Sequence, residues 1–318
     1  IGDECFKGCS DIDNINIPTY IESLGNKCFY RCKSLTSINI PTSVNKIGDE
    51  CFDECSSLTS INIPSSISKI GDDCFSGCTS LKSINIPSSV SKIGNGCFNG
   101  CMSLTSINIP TSIIEMGNDC FSWCLTLTSI NIPSSVSKIG NSCFYVCTSL
   151  TSVTIPTSIN KIRDWSFNGC ISLKSIIVPS SITKLGDGCF RYCSSLTSIN
   201  IPPSVIKIGN RCFCKCSSLT SIIIPTSVGY IDEKCFCKCT SLQLINIPTT
   251  VEYIGNKCFY NCLSLTSINI PSSVEYIGDD CFSGCKCEEE LKKDKRIRGI
   301  YNQNDEEKSQ NGDKCVIV

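Results

Sequence analysis

The sequence contains no histidine. General acid–base catalysis at neutral pH most often uses histidine, and a nucleophilic cysteine or serine needs a nearby base that the repeated segments of this chain do not supply. Zinc centres commonly combine cysteine with histidine in a tetrahedral set, so a metal-binding role for the cysteines is disfavoured as well. We therefore expect a protein without catalytic residues, metal ligands or cofactors, and not an enzyme.

A strong excess of charge and long apolar runs are also missing. The net charge is -1 and the isoelectric point is near 5.7, so the charge balance does not predict nucleic-acid binding. No apolar run approaches the roughly 20 residues that a membrane-spanning helix needs. Because the sequence starts at Ile1, inside a repeat, we expect the true N-terminus, with any cap or signal peptide, to lie upstream.

A period of 23 residues runs through most of the chain. All 13 phenylalanines keep this step from Phe6 to Phe282, and 12 of the 13 prolines keep it from Pro18 to Pro271. Such a period is typical of a solenoid, in which identical coils stack and the core grows without a second domain. The sequence therefore predicts one elongated domain.

Each repeat unit contains the elements of one coil. Residues 81–87 alternate apolar and polar side chains as a short strand does, and a proline without an amide hydrogen ends the strand. Val90 and Ile93 direct a second apolar pair inward before a glycine turns the chain. Residues 74–78, with the sequence C-F-x-x-C, are expected to form one tight helical turn.

The unit C-F-x-x-C-x-S-L-x-S-I-N-I-P-x-S-V-x-x-I-G closely resembles the BspA-like class of leucine-rich repeats, which is found in bacterial surface proteins and is expanded in some parasitic protists. The resemblance covers residues 1–285 and implies roles in adhesion and protein recognition. The predicted class is α/β, a leucine-rich-repeat solenoid of about twelve coils with a parallel β-sheet on one face. The residue before phenylalanine departs from the family's alanine, since it is cysteine in 12 of 13 copies.

The 29 cysteines would ordinarily suggest a secreted, disulfide-bonded protein. However, 25 of them occupy two columns of the repeat, directly before phenylalanine and three residues after it. We interpret them as small buried apolar side chains. Disulfides between neighbouring coils are the alternative, whereas a pair within one C-F-x-x-C is disfavoured because Ser166 would leave Cys170 without a partner.

Cys214 and Cys237 stand outside both columns, because each directly follows phenylalanine in two adjacent coils. Polar or aromatic residues otherwise occupy this position, so we expect it to face solvent. A redox-sensitive pair is one interpretation of the two cysteines. The other is that one repeat was copied into the next.

The residue two positions before the conserved glycine forms a row on the predicted surface. Lysines that protect a strand edge from aggregation, and tyrosines copied from one unit, explain the row without a ligand. A functional interpretation is an acidic partner on the lysines and a protein contact on the tyrosines. The row is Lys46, Lys69, Lys92, Glu115, Lys138, Lys161, Lys184 and Lys207, followed by Tyr230, Tyr253 and Tyr276.

The two residues that follow phenylalanine vary most between units. Exposed tryptophan, tyrosine and arginine are typical of binding hot spots, so this pair of positions is the second candidate for partner binding. The outer face of the strand repeats serine and asparagine and needs no ligand to explain it. The candidates are Trp123 beside Tyr145 and Val146, then Arg191 and Tyr192, with Trp165 as a weaker candidate on another edge.

Residues 286–318 lack the repeat and are rich in charge, which predicts a short capping segment followed by a flexible tail. The last four residues, Cys315-Val316-Ile317-Val318, match the C-a-a-X box that directs prenylation of cysteine. Some protist proteins of the family that the repeat resembles end in similar boxes. Valine in the last position leaves the identity of the prenyl group open.

These observations predict a non-catalytic protein-interaction scaffold, held at the cytoplasmic face of the plasma membrane by a prenyl group on Cys315. Because prenylation takes place in the cytosol, it favours reduced cysteines. The alternative is a cell-surface adhesin that binds host or matrix proteins, as the family resemblance implies. The expected partners are proteins and a membrane, with no nucleic acid and no small-molecule substrate.

Overall fold

Stacked coils of 23 residues form the solenoid, and each coil lies in register on the next. A computed structural model of the chain describes residues 1–295 and 297. Equivalent residues pair across coils, as Ile15 does with Ile38 and Ile38 with Ile61. The predicted leucine-rich-repeat solenoid is therefore confirmed. Every strand pair within residues 1–295 and 297 is parallel, because successive coils run in the same direction.

The first ladder of strands contains the predicted S-I-N segment of each coil. Isolated bridges continue it through other coils, for example from Asn62 to Asn85 and from Asn85 to Asn108. In β9, for example, Ile130 points into the core while Ser129 and Asn131 point to solvent. The strands are β1 (Asn14–Asn16), β3 (Ser37–Asn39), β5 (Ser60–Ile61), β9 (Ser129–Asn131), β11 (Ser152–Thr154), β15 (Ser221–Ile223) and β17 (Leu244–Asn246).

A second ladder of strands contains the row of lysines and tyrosines. The sequence predicted inward apolar residues at this position but placed a sheet on one face only. The strands have two residues each, and an alternating pattern of apolar and polar residues cannot identify a strand of that length. They are β2 (Ser23–Leu24), β4 (Lys46–Ile47), β6 (Lys69–Ile70), β7 (Lys92–Ile93), β8 (Glu115–Met116), β10 (Lys138–Ile139), β12 (Lys161–Ile162), β13 (Lys184–Leu185), β14 (Lys207–Ile208), β16 (Tyr230–Ile231), β18 (Tyr253–Ile254) and β19 (Tyr276–Ile277).

The conserved glycine allows adjacent coils to approach closely. A Cβ added to Gly94 would lie 2.4 Å from the carbonyl oxygen of Gly71 in the preceding coil. Arg163 and Asp232 replace this glycine in two coils. The second ladder is interrupted between β10 and β12 but also between β4 and β6, where the glycine is present in both coils, and β14 pairs with β16 through one residue pair only.

The C-F-x-x-C segment is not the helical turn that the sequence predicted. Residues two before and two after phenylalanine have left-handed backbones, with φ of 50° at Asp73 and 67° at Gly77. A right-handed helix cannot continue through such residues, so the segment consists of tight turns instead. A short helix, α1 (Glu288–Lys293), follows the last coil and buries Leu291.

Phenylalanine rings form the centre of the core. Neighbouring rings stack with centroids 5.2 to 5.8 Å apart and planes within 10° of parallel. From Cys28 to Cys285, the cysteines of both columns are buried, which confirms their predicted place in the core. The cysteine three residues after phenylalanine also donates its thiol hydrogen to the phenylalanine carbonyl of the preceding coil, with sulfur–oxygen distances of 3.0 to 3.2 Å. An alanine could not form this hydrogen bond.

Candidate recognition surfaces

The lysine row lies on the outer side of the second ladder. Lys161, Lys184 and Lys207 pair in register in three successive coils. In the other half of the row, Glu115 lies between Lys92 and Lys138, with oxygen–nitrogen distances of 3.1 and 3.8 Å. The hydrogen bond from Lys92 is the main reason that the pKa of Glu115 is lowered. Glu115 therefore interrupts the row with an acidic side chain, and four lysines follow it, of which the last three pair in one sheet.

The tyrosine row continues the same ladder. Tyr253 pairs with Tyr230 on one side and with Tyr276 on the other. The rings of Tyr253 and Tyr276 stack, whereas the ring of Tyr230 is tilted by 51° and is 60% exposed. The structure therefore brings the three predicted tyrosines into one aromatic strip.

Trp123 and Tyr145 form the predicted aromatic pair in adjacent coils. Their ring centroids are 6.1 Å apart with an edge-to-face angle of 64°, and Trp123 is 44% exposed. Trp123, Val146 and Tyr192 share the left-handed backbone position two residues after phenylalanine, with φ of 62°, 57° and 61°. Glycine adopts this conformation without strain, but a residue with a side chain does so at a cost.

Trp165 belongs to the surface of Arg191 and Tyr192 and not to another edge, so that prediction is wrong. The Arg191 guanidinium lies 5.7 Å from the Trp165 ring and 4.7 Å from the Tyr192 ring. Lys215 approaches the other side of this group and donates a hydrogen bond of 2.7 Å to the Tyr192 hydroxyl. Two cations and two aromatic rings from three coils therefore form one cluster.

Cys214 and Cys237 are buried, so the prediction that they face solvent is wrong. Their column lies partly under the surface, since Ser122 and Asn168 are also buried there. The Cys214 thiol interacts with the Cys237 thiol and with the Arg191 guanidinium. These interactions, with Cys237 making the largest contribution, lower the pKa of Cys214 to about 6 although burial opposes them.

The outer face of the first ladder carries apolar residues that sequence reasoning missed. Ile177, Ile223 and Leu244 are 81%, 72% and 64% exposed. Ile177 bridges to Thr154 and Asn200, and Leu244 pairs with Ser221, so all three interrupt an otherwise polar surface. Their substitution for the recurrent asparagine and serine was the available indication. The outer face of the first ladder is therefore less uniformly polar than the sequence analysis described.

Residues 1–295 and 297 contain no group of three or more cysteine, aspartate or glutamate side chains arranged to hold a metal ion. Within the same residues, no helix is long and apolar enough to cross a membrane. The predicted lipidation site, Cys315, lies outside the described residues.

Known proteins share both the repeat and the fold of this chain. The family model of the BspA type leucine rich repeat region matches residues 1–128, 114–239 and 206–303, in six copies. A crystal structure of a leucine-rich repeat protein from Bacteroides ovatus has a TM-score of 0.68 and 31% sequence identity, covering 86% of this chain and 84% of that chain. No curated protein matches the sequence.

Two further solved structures share the fold. A leucine rich cell surface protein from Faecalibacterium prausnitzii is 28% identical with a TM-score of 0.64, over 90% of this chain and 80% of that chain. The pneumococcal vaccine antigen PcpA is 20% identical with a TM-score of 0.64, over 88% of this chain and 79% of that chain, which shows the fold alone. The family model covers nearly the whole solenoid, and the chain therefore belongs to the BspA-type leucine-rich-repeat proteins.

Proposed function

We propose that this protein is a non-catalytic protein-recognition scaffold, attached to the cytoplasmic face of a membrane by a prenyl group on Cys315. The observation that carries the recognition role is the exposure of Ile177, Ile223 and Leu244 on the first ladder. Large exposed apolar side chains on a rigid polar sheet are typical of protein interaction sites. Trp123 and Tyr145 supply a second site of the residue types that dominate binding energies.

A consensus variant tests the recognition role. Ile177→Asn, Ile223→Asn and Leu244→Ser restore the residues that other coils carry in these columns. We expect the amount of each protein that co-precipitates with the full chain to fall at least ~10-fold, because loss of a hot spot costs about 2 kcal/mol. Unchanged co-precipitation at an unchanged melting temperature would contradict this assignment.

A matched control removes the same number of exposed apolar side chains from another column. Met102, Ile171 and Leu263 each lie four residues after phenylalanine and are 41%, 46% and 50% exposed. Replacement of all three by serine should leave co-precipitation unchanged. An equal loss of co-precipitation with the control variant would show nonspecific hydrophobic binding instead of a defined binding site.

Prenylation of Cys315 is supported by the C-a-a-X sequence of residues 315–318. It requires Val318 to be the carboxyl terminus in the cell. Mass spectrometry of the C-terminal peptide should show a farnesyl or geranylgeranyl group, and Cys315→Ser should move the protein from the membrane fraction to the soluble fraction. A C-terminal peptide without a lipid would refute the anchor and leave the recognition role standing.

A cell-surface adhesin is the second candidate, because a similar protein from Faecalibacterium prausnitzii is described as a leucine rich cell surface protein. This function requires the solenoid to reach the outside of the cell. Antibody labelling of intact cells distinguishes the two candidates. Labelling that persists in the Cys315→Ser variant favours the adhesin, and labelling only after permeabilisation favours the scaffold.

A further inference from the structure

Arg191, Cys214 and Cys237 occupy the same column in three consecutive coils, each directly after phenylalanine. The Cys214 thiol therefore lies between a guanidinium on one side and a second thiol on the other. Cys214 and Cys237 retain 4% and 7% exposure, whereas Cys212 and Cys216 have none. The pair is thus closer to solvent than the core thiols of the same coil.

The arginine is held in place by the rings around it. Its guanidinium lies 4.7 Å from the ring of Tyr192 and 5.7 Å from that of Trp165. Its Nε atom is buried and has no hydrogen-bond partner in the part of the chain that the structure describes. Lys215 adds a second cation, 4.3 Å from the Tyr192 ring. A cation that lacks a hydrogen-bond partner on a buried nitrogen favours an anion beside it, and the neighbouring thiol can supply that charge as a thiolate.

Another pair of cysteines provides an internal comparison. The sulfur atoms of Cys189 and Cys212 are 3.4 Å apart in adjacent coils, and both residues are completely buried. For Cys212, burial and the neighbouring Cys189 raise the pKa well above its usual range. The column of that pair holds no arginine, whereas Arg191 adds to the effect of Cys237 in lowering the pKa of Cys214.

We propose that Cys214 is a nucleophilic thiolate that reacts with a hydroperoxide and is then joined to Cys237 by a disulfide across the two coils. The Cys214 sulfur attacks the distal peroxide oxygen, the O–O bond breaks, and the alkoxide or hydroxide that leaves takes up a proton. The Cys237 thiol then displaces water from the resulting sulfenic acid. In sum, two thiols lose two electrons and the peroxide gains them.

The spacing of the coils permits this bond. The amide of Lys215 donates a hydrogen bond of 2.7 Å to the carbonyl of Cys237, so the two backbones already lie side by side. Neighbouring strands lie about 4.8 Å apart, and the Cα atoms of a disulfide are about 4.4 to 6.8 Å apart. The disulfide therefore forms by rotation of side chains without separation of the coils.

The choice of protease decides whether the experiment can assign the cysteines. Trypsin would release residues 212–215 and 235–238 as the same tetrapeptide, C-F-C-K. Chymotrypsin cleaves after phenylalanine and leucine, so it separates Cys212 from Cys214. It gives residues 214–219 and 237–242, which differ in sequence and can be assigned by fragmentation.

The first test measures the rate of Cys214 alkylation by iodoacetamide in the full chain between pH 5 and 9. Arg191→Asn introduces a residue that the same column holds at Asn99 and Asn168, and Arg191→Lys retains the charge. We expect Arg191→Asn to slow alkylation at pH 6.5 at least ~10-fold and to move the profile to higher pH, and Arg191→Lys to restore it. A profile unchanged by Arg191→Asn would overturn the proposal.

The second test uses a stoichiometric amount of hydrogen peroxide. We expect residues 214–219 to be recovered linked to residues 237–242, with no link between Cys189 and Cys212. In Cys237→Ser, which introduces the residue found at Ser76 and Ser122, dimedone should trap sulfenic acid on Cys214. Oxidation of other cysteines before Cys214, or the absence of the link to Cys237 in the unmodified chain, would overturn the proposal.

Discussion

The ring of Tyr253 lies face to face with the ring of Tyr276, with centroids 4.6 Å apart and planes 4° from parallel. This surface pair repeats the geometry of the phenylalanine stack in the core. Tyr230 is in register with them, but its ring is 6.3 Å from that of Tyr253 and tilted by 51°. The aromatic strip therefore has a stacked part formed by two rings and an exposed edge formed by Tyr230.

Replacement of Tyr253 by alanine should lower the free energy of unfolding by about 1 to 2 kcal/mol, because it removes one stacking partner and half-buried ring surface. Tyr230→Ala should cost less than about 0.5 kcal/mol, since that ring is exposed and makes a weaker contact. Urea unfolding followed by circular dichroism measures both. Tyr253→Phe is the control and should behave as the unmodified protein. Equal losses for Tyr253→Ala and Tyr230→Ala would show that stacking is not the cause.

Gly94→Ala should destabilise the solenoid by about 1 to 3 kcal/mol. The added methyl group would lie 2.4 Å from the Gly71 carbonyl oxygen, and a backbone atom can move only if the coils separate. Gly229→Ala is the matched control, because the nearest atom to its added methyl is the Thr250 carbonyl oxygen at 3.7 Å. Thermal midpoints of the two variants should differ by several degrees, and equal midpoints would contradict the close-approach argument.

The 23-residue period shows why the sequence predicted the solenoid but not all of its detail. Identical columns at a fixed period must stack, so the coils, the first ladder and the phenylalanine core followed from the period alone. The breaks in the second ladder, between β4 and β6 and between β10 and β12, share no substitution in the glycine column, so the sequence did not indicate where they would fall. The second ladder was missed because two-residue strands carry no periodic pattern.

The candidate surfaces were predictable to a smaller extent. Variable columns correctly indicated Trp123 and Tyr145 as neighbours, because both lie near phenylalanine in adjacent coils. The contact of Trp165 with Arg191 was missed because it joins two different columns, which a comparison of equivalent positions cannot reveal. The burial of Cys214 was also missed, although small residues recur in its column as Ser122 and other serines.

The left-handed backbone at the position two residues after phenylalanine predicts opposite effects on stability for two opposite substitutions. Val146 is β-branched and has a φ of 57°, a conformation that asparagine tolerates better. Val146→Asn should therefore raise the free energy of unfolding by about 1 kcal/mol. Asn261→Val, at the equivalent position with the same φ of 57°, should lower it by a similar amount. If both variants are destabilised, packing of the side chains outweighs backbone strain in this column.

The buried thiols should make the solenoid sensitive to alkaline pH. Burial raises the pKa of Cys74, Cys78, Cys97 and Cys101 well above the ordinary value of 9.0. Below pH 9 these thiols are protonated in both the folded and the unfolded chain, so their contribution to stability is complete there. Above pH 9 the unfolded chain releases protons that the folded chain retains, and stability falls as the pH rises.

The slope of this loss reports the number of thiols, at about 1.36 kcal/mol per pH unit for each one. Urea unfolding at intervals between pH 8 and 10.5 measures it, provided a reductant prevents disulfide formation. Cys97→Ala, and Cys74→Ala combined with it, should reduce the slope by one and two such steps, because alanine fills the column without ionising. Cys214 acts in the opposite direction, since its lowered pKa adds stability between about pH 6 and 9. Above pH 9 Cys214 is ionised in both the folded and the unfolded chain and adds no slope, so a stability that stays constant from pH 9 to 10.5 would contradict the assignment of the cysteine columns as protonated core.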